Sequence, residues 1–286
     1  MKLNKNADTN ILIVGLGLLG GSYAMALKKK GYHVEAITRS QSSIDYALEH
    51  GLIDRGATVV DPVMIQQAEV IVFALYPHVF IEWIKENQQH FRPGTVLTDV
   101  TGVKGSVVYE IQSILREDVE FIAAHPMAGK EVYGVENSDD KIFEKANYIV
   151  VPTEKNTEEA ITLCKELGHE LGFCSVSVLS PEKHDEMIAY LSQLTHCIAV
   201  TLMCCHDGDH LEEYTGDSFR DLTRIAKIND AMWSELFAMN KEALLVQMDV
   251  FSEKFEELRT ALRKDDLEHM RTMMRLSTER RRRFDQ

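Results

Sequence analysis

A doubly wound α/β sheet followed by an all-helical region is the fold class this sequence predicts, and three observations predict it. The apolar run Ile11-Leu12-Ile13-Val14 passes straight into the glycine turn Gly15-Leu16-Gly17-Leu18-Leu19-Gly20 and then into the apolar helical segment Tyr23 to Leu27. Strand-like apolar runs then alternate with helical segments as far as Val178. From Ser180-Pro181-Glu182 onward no strand signal appears and the pattern is helical throughout. At 286 residues the chain can hold two domains with cores of their own. The boundary falls between 179 and 180, giving domains 1–179 and 180–286.

The opening unit carries the first functional expectation. A buried strand that runs through a tight turn into a helix N-terminus offers an anion unpaired backbone N–H groups and the positive end of the helix dipole. In that arrangement Gly15 permits the turn, Gly17 lets a pyrophosphate approach the backbone, and Gly20 lets helix and strand pack closely, with Leu18 and Leu19 counted among the cofactor-binding residues of the turn. Glycines collect at turns for steric reasons too. The strand before and the helix after are what point to a dinucleotide and a Rossmann-type sheet.

The remaining elements follow in order. His33 to Thr38 reads as a second strand and Gln41 to His50 as a helix ended by Gly51, with Val59-Val60 a short strand. Glu69 to Ala74 is a buried strand stopped by Tyr76-Pro77, and a helix spans Val79 to His90. Pro93-Gly94 turns the chain into the strand Thr95 to Asp99, followed by a helix from Val103 to Leu115 and a strand from Glu120 to Ala124. Weaker strands lie at Asn147 to Val151 and Cys174 to Val178, with a helix from Thr157 between them whose first turn holds Glu158 and Glu159. Ser180 caps the first helix of the second domain and Pro181 suits its first position. Helices are expected over 181–206, 218–227, Asn229 to Leu262 and Asp265 to Arg283.

Composition narrows the class. An apolar fraction of 45% with 27% charged residues describes a soluble globular protein. A formal net charge of −14 argues against nucleic acid or an anionic membrane as partner, so an anionic substrate would need cations gathered locally. The five cysteines are odd in number and lack C-x-x-C spacing, which argues against a disulfide framework or a zinc site and for a reducing cytoplasm. Met1 to Asn10 is polar and holds no signal-peptide core, and no run approaches the roughly 18 apolar residues of a membrane span.

Two stretches after strands stand out for chemistry. Thr98 to Gly105 ends a strand in hydroxyls and a lysine, and His125 follows Phe121-Ile122-Ala123-Ala124 directly. A histidine at a strand end beside a nicotinamide can take a proton from an alcohol as hydride leaves, and it can equally serve as a strand-end cap. His184-Asp185 and His196 share one helix at a spacing of roughly 18 Å, too far apart to hold one ligand atom. On its apolar helix His196 also fits a core histidine. Asp221 and Arg224 are an i, i+3 pair suited to a surface salt bridge, although arginine is also the group that holds a carboxylate with two parallel hydrogen bonds. His206-Asp207-Gly208-Asp209-His210 reads as a solvated loop rather than a metal cluster. Arg280 to Arg283 reads as cations completing a terminal helix.

Assembled, these stretches resemble the prephenate dehydrogenase family of tyrosine biosynthesis, including its arogenate dehydrogenase relatives. The likeness runs nearly the full length: the glycine loop, D-x-x-x-V-K from Asp99 to Lys104, H-P-x-x-G-x-E-x-x-G from His125 to Gly134, the helix with His184-Asp185 and His196, and F-x-D-x-T-R-I-A from Phe219 to Ala226 followed by Trp233. The resemblance implies a Rossmann domain, an all-α dimerisation domain forming a homodimer, and an active site in the cleft between the two domains. It implies hydride transfer from the ring C4 of prephenate to a nicotinamide cofactor, with loss of CO2 to give 4-hydroxyphenylpyruvate. Carried across, His125 is the histidine that assists deprotonation of the C4 hydroxyl, His196 the second active-site histidine, and Arg224 the carboxylate anchor. Glu131 and Asp221 belong to an acidic network ordering the cleft, with His184 and Trp233 in support. No metal is implied.

Three departures qualify the likeness. Gly102 stands where many relatives carry a serine that orients the histidine, which leaves that role vacant or passes it to Thr101 or water. Ser192-Gln193-Leu194-Thr195-His196 replaces a frequent S-H-L-P-H, and the C-terminal regulatory domain of some relatives is not expected here. Cofactor choice divides: the second strand ends in Thr38-Arg39-Ser40, without the acid that usually holds an NAD ribose, and Glu35 falls inside the strand. Arg39 and Ser40 suit the 2′-phosphate of NADP, whereas the resemblance implies NAD. Arogenate dehydrogenase and another two-domain dehydrogenase, such as one acting on hydroxy acids, are the alternative enzymes, and a silent dinucleotide-sensing dimer the alternative from another class. Gly102 leans toward the sensor, His125 with Arg224 against it.

Overall fold

The structure, a computed structural model, describes residues 9–285. Most of the polar segment Met1 to Asn10, read above as lacking a signal-peptide core, lies outside the described residues. The first part of the chain alternates strands and helices: β1 (Asn10–Val14), α1 (Leu18–Lys29), β2 (His33–Ile37), α2 (Gln41–Glu49), β3 (Arg55–Ala57), α3 (Pro62–Gln67), β4 (Val70–Phe73), α4 (Pro77–Asn87), β5 (Val96–Asp99), α5 (Gly105–Ile114) and β6 (Glu120–Phe121). The six strands form one parallel sheet in the order β3-β2-β1-β4-β5-β6. Strand order reverses between β1 and β4, which is where a doubly wound sheet opens a crevice for a ligand.

Burial explains why these runs become central strands. Alternate residues of β1 point to opposite faces. Ile11 and Ile13 join Tyr23 and Leu27 of α1 in one core, while Leu12 and Val14 join Ile71, Phe73 and Phe80 in the other. With both faces covered, the run must be apolar at every position. The edge strand β3 obeys a different rule. The expected strand at Val59-Val60 is corrected, because those side chains are 72% and 36% exposed and Arg55–Ala57 pairs with β2 instead. An edge strand answers to one neighbour only, so its sequence need carry little apolar signal.

A larger correction concerns the run Glu120 to Ala124, which belongs to two sheets. Ile122 N still donates to Leu97 O of β5 at 3.0 Å, but the next inward amide, Ala124 N, donates to the Asp99 carboxylate at 3.2 Å. A side chain thus takes over from the strand ladder, and the chain leaves β5. It continues as β7 (Ala123–Pro126), antiparallel to β8 (Asn147–Val151), which pairs in parallel with β9 (Ser175–Val178); α6 (Glu158–Leu171) lies between the last two. His125 therefore sits inside β7, opposite Ile149, and not beyond a strand end.

From Pro181 the elements are helical: α7 (Pro181–Ile188), α8 (Leu194–Cys204), α9 (Asp217–Thr223), α10 (Asp230–Met239), α11 (Lys241–Arg263) and α12 (Leu267–Arg281). A π-helical turn, Ala189–Gln193, joins α7 to α8 without a break. The expected single helix from Asn229 to Leu262 is interrupted at Asn240, whose buried amide donates to the Asp185 carbonyl at 3.0 Å and to Gln193 Oε1 at 2.8 Å. The expectation about membrane spans is also corrected. The continuous helix Pro181–Cys204, with a mean hydropathy of 1.5, is long and apolar enough to cross a membrane by length and composition. Ser192, Gln193, Thr195 and His196 break its apolar run in the sequence, and its His184 and Asp185 are engaged with the first domain.

Candidate active site

The three glycines of the turn meet three different surroundings. Gly15 adopts φ +101°, and a Cβ there would overlap the Ala74 carbonyl of the neighbouring strand's end. A Cβ on Gly20 would overlap the Gly15 carbonyl, so helix and turn pack at backbone contact. Gly17 differs, since a Cβ there meets nothing within 4 Å. It is the N-cap of α1, no side chain caps that end, and no acid lies in the first turn, where Leu18 and Leu19 begin the helix. An open helix N-terminus with its dipole uncompensated fits the pyrophosphate of a dinucleotide. At the end of β2, Arg39 is exposed and forms no ion pair among the described residues. Ser40 Oγ caps α2 by accepting from Ser43 N at 3.2 Å and lies 2.9 Å from Ser42 Oγ. Glu35 is 5% exposed within the strand, which leaves no acid at its end.

Below the cleft lies a buried ion pair. Asp99 ends β5 and Lys104 precedes α5; both are fully buried, with Nζ 2.7 Å from Oδ2. Asp99 also accepts from Thr101 N at 2.9 Å and from the Thr101 hydroxyl, while its other oxygen holds Ala124 N. The Thr101 hydroxyl accepts in turn from Lys104 Nζ at 3.1 Å and lies 3.0 Å from the Val103 carbonyl. The structure thus engages the buried Thr101 hydroxyl in the support of the loop. Gly102 faces the other way. A Cβ there would sit 4.0 Å from His125 Cε1 and 3.5 Å from Leu236, ordinary contact distances that leave room for a small side chain beside the imidazole.

His125 is partly exposed and its Nδ1 lies 2.8 Å from His184 Nε2. His184 is fully buried and its Nδ1 lies 2.7 Å from Asp185 Oδ1. Burial above all, then His184 and Lys104 nearby, holds the His125 imidazole well below the ordinary histidine value of 6.5. It is therefore neutral at physiological pH and able to accept a proton.

The helical domain supplies the far wall. Twelve residues at about 100° each would leave His184 and His196 about 120° apart around a regular helix. The π turn adds one residue to the helical count, which reduces the offset to about 20°. Both histidines thereby face the first domain. His196 stacks on Trp233, with ring centroids 3.7 Å apart, and its Nδ1 is 2.8 Å from the Ser192 carbonyl. That carbonyl can only accept, so Nδ1 carries the proton and Nε2 is free. Burial lowers the His196 pKa, the Ser192 contact and Glu131 offsetting part of the shift.

Arg224 extends from the end of α9 to Glu131, with Nη1 2.5 Å from Oε1, so a salt bridge spans from the loop after β7 to the helical domain. The expected Asp221–Arg224 pair is corrected. Asp221 is exposed and has no side-chain hydrogen bond or ion pair among the described residues, and the longer reach to Glu131 wins. Tyr76, His78 and Glu235 escaped the sequence reading. Tyr76 Oη accepts from Asn229 Nδ2 at 3.2 Å, and Glu235 accepts from His78 N at 2.9 Å, adding two more ties across the cleft. The 206–210 segment forms a loop in which Gly208 N donates to His206 Nδ1, and no metal-binding group occurs among the described residues.

Comparison with known proteins gives this cleft a lineage. Residues 23–177 match the nucleotide-binding domain of prephenate dehydrogenase, and residues 180–276 match its dimerization domain. The prephenate dehydrogenase of Bacillus subtilis is 30% identical over 279 residues, covering 94% of this chain and 74% of that protein. The cyclohexadienyl dehydrogenase of Zymomonas mobilis is 26% identical over 275 residues, 92% of each chain. The crystal structure of prephenate dehydrogenase from A. aeolicus, in complex with hydroxyphenyl propionate and NAD+, superimposes with a TM-score of 0.87 at 29% identity and covers 97% of this chain and 98% of that one. Two successive domain matches and a shared fold over almost the whole length establish that this chain belongs to the prephenate dehydrogenase family.

Proposed function

We propose that the protein oxidises prephenate to 4-hydroxyphenylpyruvate and CO2, passing hydride to a nicotinamide dinucleotide, as a step of tyrosine biosynthesis. The observation that carries this reading is a neutral His125 in the cleft between the glycine-turn sheet and the helices bearing Arg224 and His196. When bound, the nicotinamide supplies the hydride acceptor. Gly15, Gly17, Leu18, Leu19 and Gly20 would hold the pyrophosphate, and Arg39 and Ser40 would meet the adenine ribose. His125 accepts the C4 hydroxyl proton as the hydride departs from that carbon, loss of the ring carboxylate as CO2 makes the ring aromatic, and the resulting phenolate oxygen takes a proton back. Aromatisation drives the reaction, so the protein's share is orientation and proton removal. Arg224 takes a substrate carboxylate in exchange for Glu131, and His196, held flat by Trp233, lines the same wall.

The direct test is absorbance at 340 nm with purified protein and prephenate or arogenate, each paired with NAD+ and NADP+. Absence of reduction in all four mixtures would refute an enzymatic role. The ribose end accepts both cofactors in this reading, NAD+ through the pyrophosphate turn and NADP+ through the exposed Arg39 beside Ser40. Arg39→Ala is then expected to raise KM for NADP+ by about 10- to 100-fold, the worth of one charge-assisted hydrogen bond, and to leave NAD+ within about twofold. Equal effects on both cofactors would remove Arg39 from the ribose pocket.

Arg224→Ala is expected to raise KM for prephenate about 30- to 100-fold with kcat within about threefold, because a carboxylate loses its partner and meets an unpaired Glu131. Steady-state kinetics at saturating cofactor check this, and an unchanged KM would dismiss Arg224 as the anchor.

A homodimer formed through the helical domain completes the proposal. Tyr190 and Leu191, 55% and 50% exposed, and Phe255 and Leu262, 61% and 63% exposed, leave an apolar surface suited to a second copy. Five free cysteines suit a reducing cytoplasm.

A further inference from the structure

We propose that Asp185, acting through His184, fixes the tautomer of His125 so that Nε2 is the lone pair offered to the cleft and Nδ1 carries the proton. Both are positioning residues for the reaction read above, on which this proposal rests.

The assignment follows donor by donor from two groups whose roles admit no choice. Lys104 N donates to Asp185 Oδ1 at 2.9 Å, and Gly105 N donates to Oδ2 at 2.7 Å. Backbone N–H groups only donate, so both carboxylate oxygens are acceptors. His184 Nδ1, 2.7 Å from Oδ1, must then be the donor. In a neutral imidazole the other nitrogen is bare, so His184 Nε2 accepts. Its neighbour at 2.8 Å, His125 Nδ1, must supply the hydrogen. The only lone pair left on His125 is on Nε2.

The surroundings hold this chain rigid. Asp185 lies in α7, and its carboxylate meets the N-terminus of α5, where the helix dipole favours a negative group. Gly105 admits it, since a Cβ at that position would stand 3.0 Å from Oδ2. Asn240 anchors the Asp185 carbonyl, and Gln193 braces Asn240 while donating to the Leu236 carbonyl at 3.0 Å. Burial lowers the His184 pKa, with Asp185 opposing and Lys104 adding, which keeps this imidazole neutral. Were His184 doubly protonated, it would donate to His125 Nδ1, and Nε2 of His125 would carry the proton it is meant to accept. The dipeptide His184-Asp185 therefore decides whether His125 is a base at all.

The test uses two substitutions and the full chain. Two-bond 1H–15N correlation spectra of 15N-histidine-labelled, substrate-free protein are expected to show His125 protonated on Nδ1. His184→Gln keeps an amide oxygen near the place of Nε2, whereas His184→Phe keeps the ring volume without an acceptor. We expect His184→Phe to move the His125 proton to Nε2 and to lower kcat about 100-fold, within the range of general-base catalysis. We expect His184→Gln to retain the Nδ1 proton and to recover kcat to within about tenfold of wild type, with KM for prephenate in both variants within about threefold. A proton on Nε2 of His125 in the wild-type protein would overturn the proposal. So would a glutamine variant that melts like wild type but is no faster than the phenylalanine one. The spectra require no substrate. An Nδ1 proton on a protein that turned over neither prephenate nor arogenate would refute the assigned reaction and leave the tautomer assignment standing.

Discussion

Replacing His125 by asparagine is expected to lower kcat for prephenate by about 10³-fold and to change KM by less than about threefold, the signature of a group that acts mainly in the transition state. Asparagine is an informative choice because its amide can still donate toward His184 and still meet a hydroxyl in the cleft. What it lacks is basicity, so the loss measures proton acceptance rather than packing. The pH profile supplies an independent check. His125 must be neutral to accept the proton, so the rate falls as pH drops through its pKa. Burial, His184 and Lys104 hold that pKa well below 6.5, which places the acid limb of kcat/KM on the low side of 6.5 in the wild-type enzyme. In His125→Asn that limb should vanish. If it persisted unchanged, the titrating base would be another group and His125 would lose its assigned role.

The parts of this site that the sequence made legible are the ones with local causes. A buried strand, a glycine turn and an apolar helix declare themselves by periodicity, and the structure gives Gly15, Gly17 and Gly20 three separate steric tasks. Family motifs carried His125, His196, Glu131 and Arg224 to the same cleft. What escaped has distant causes. The run Glu120 to Ala124 is uniformly apolar except at its start, and nothing in it announces that Asp99, 25 residues away, captures Ala124 N and diverts the strand. Arg224 had an acid three residues before it, yet its partner is Glu131, 93 residues away in sequence. The π turn that phases His196 with His184 leaves no mark that a helical periodicity of 3.6 could reveal. Thr101 is expected among the substrate-binding residues, and its letters do not show that its hydroxyl donates to Asp99 and accepts from Lys104. The interruption at Asn240 likewise depends on Gln193 and Asp185 from another helix.

Lys104→Met is expected to cost about 3–5 kcal/mol of stability, because it leaves the buried Asp99 carboxylate without the amine that donates to it whether charged or neutral. Asp99 keeps three donors, from Thr101 N, the Thr101 hydroxyl and Ala124 N, but none of them is charged. An exposed cluster offers the contrast. Lys85 lies 3.0 Å from Glu82 and 3.1 Å from Glu110 with all three side chains in solvent, and Lys85→Ala should leave the urea midpoint almost unmoved. The pH dependence gives the sign of the buried term. Burial holds the Lys104 amine below its ordinary value of 10.5, with Asp99 offsetting part of the shift. Within the window between the lowered value and 10.5 the unfolded chain binds more protons than the folded one, so this group adds stability as pH rises through that window. Methionine lacks the term, and the deficit of the variant against wild type should widen toward alkaline pH. Urea denaturation of both proteins at several pH values measures it. A deficit under about 1 kcal/mol would mean that the buried pair adds no more than a surface one does. The loop that aims Gly102 at His125 and the amide pair that grips Asp185 would then owe their positions to the apolar packing of α5 alone.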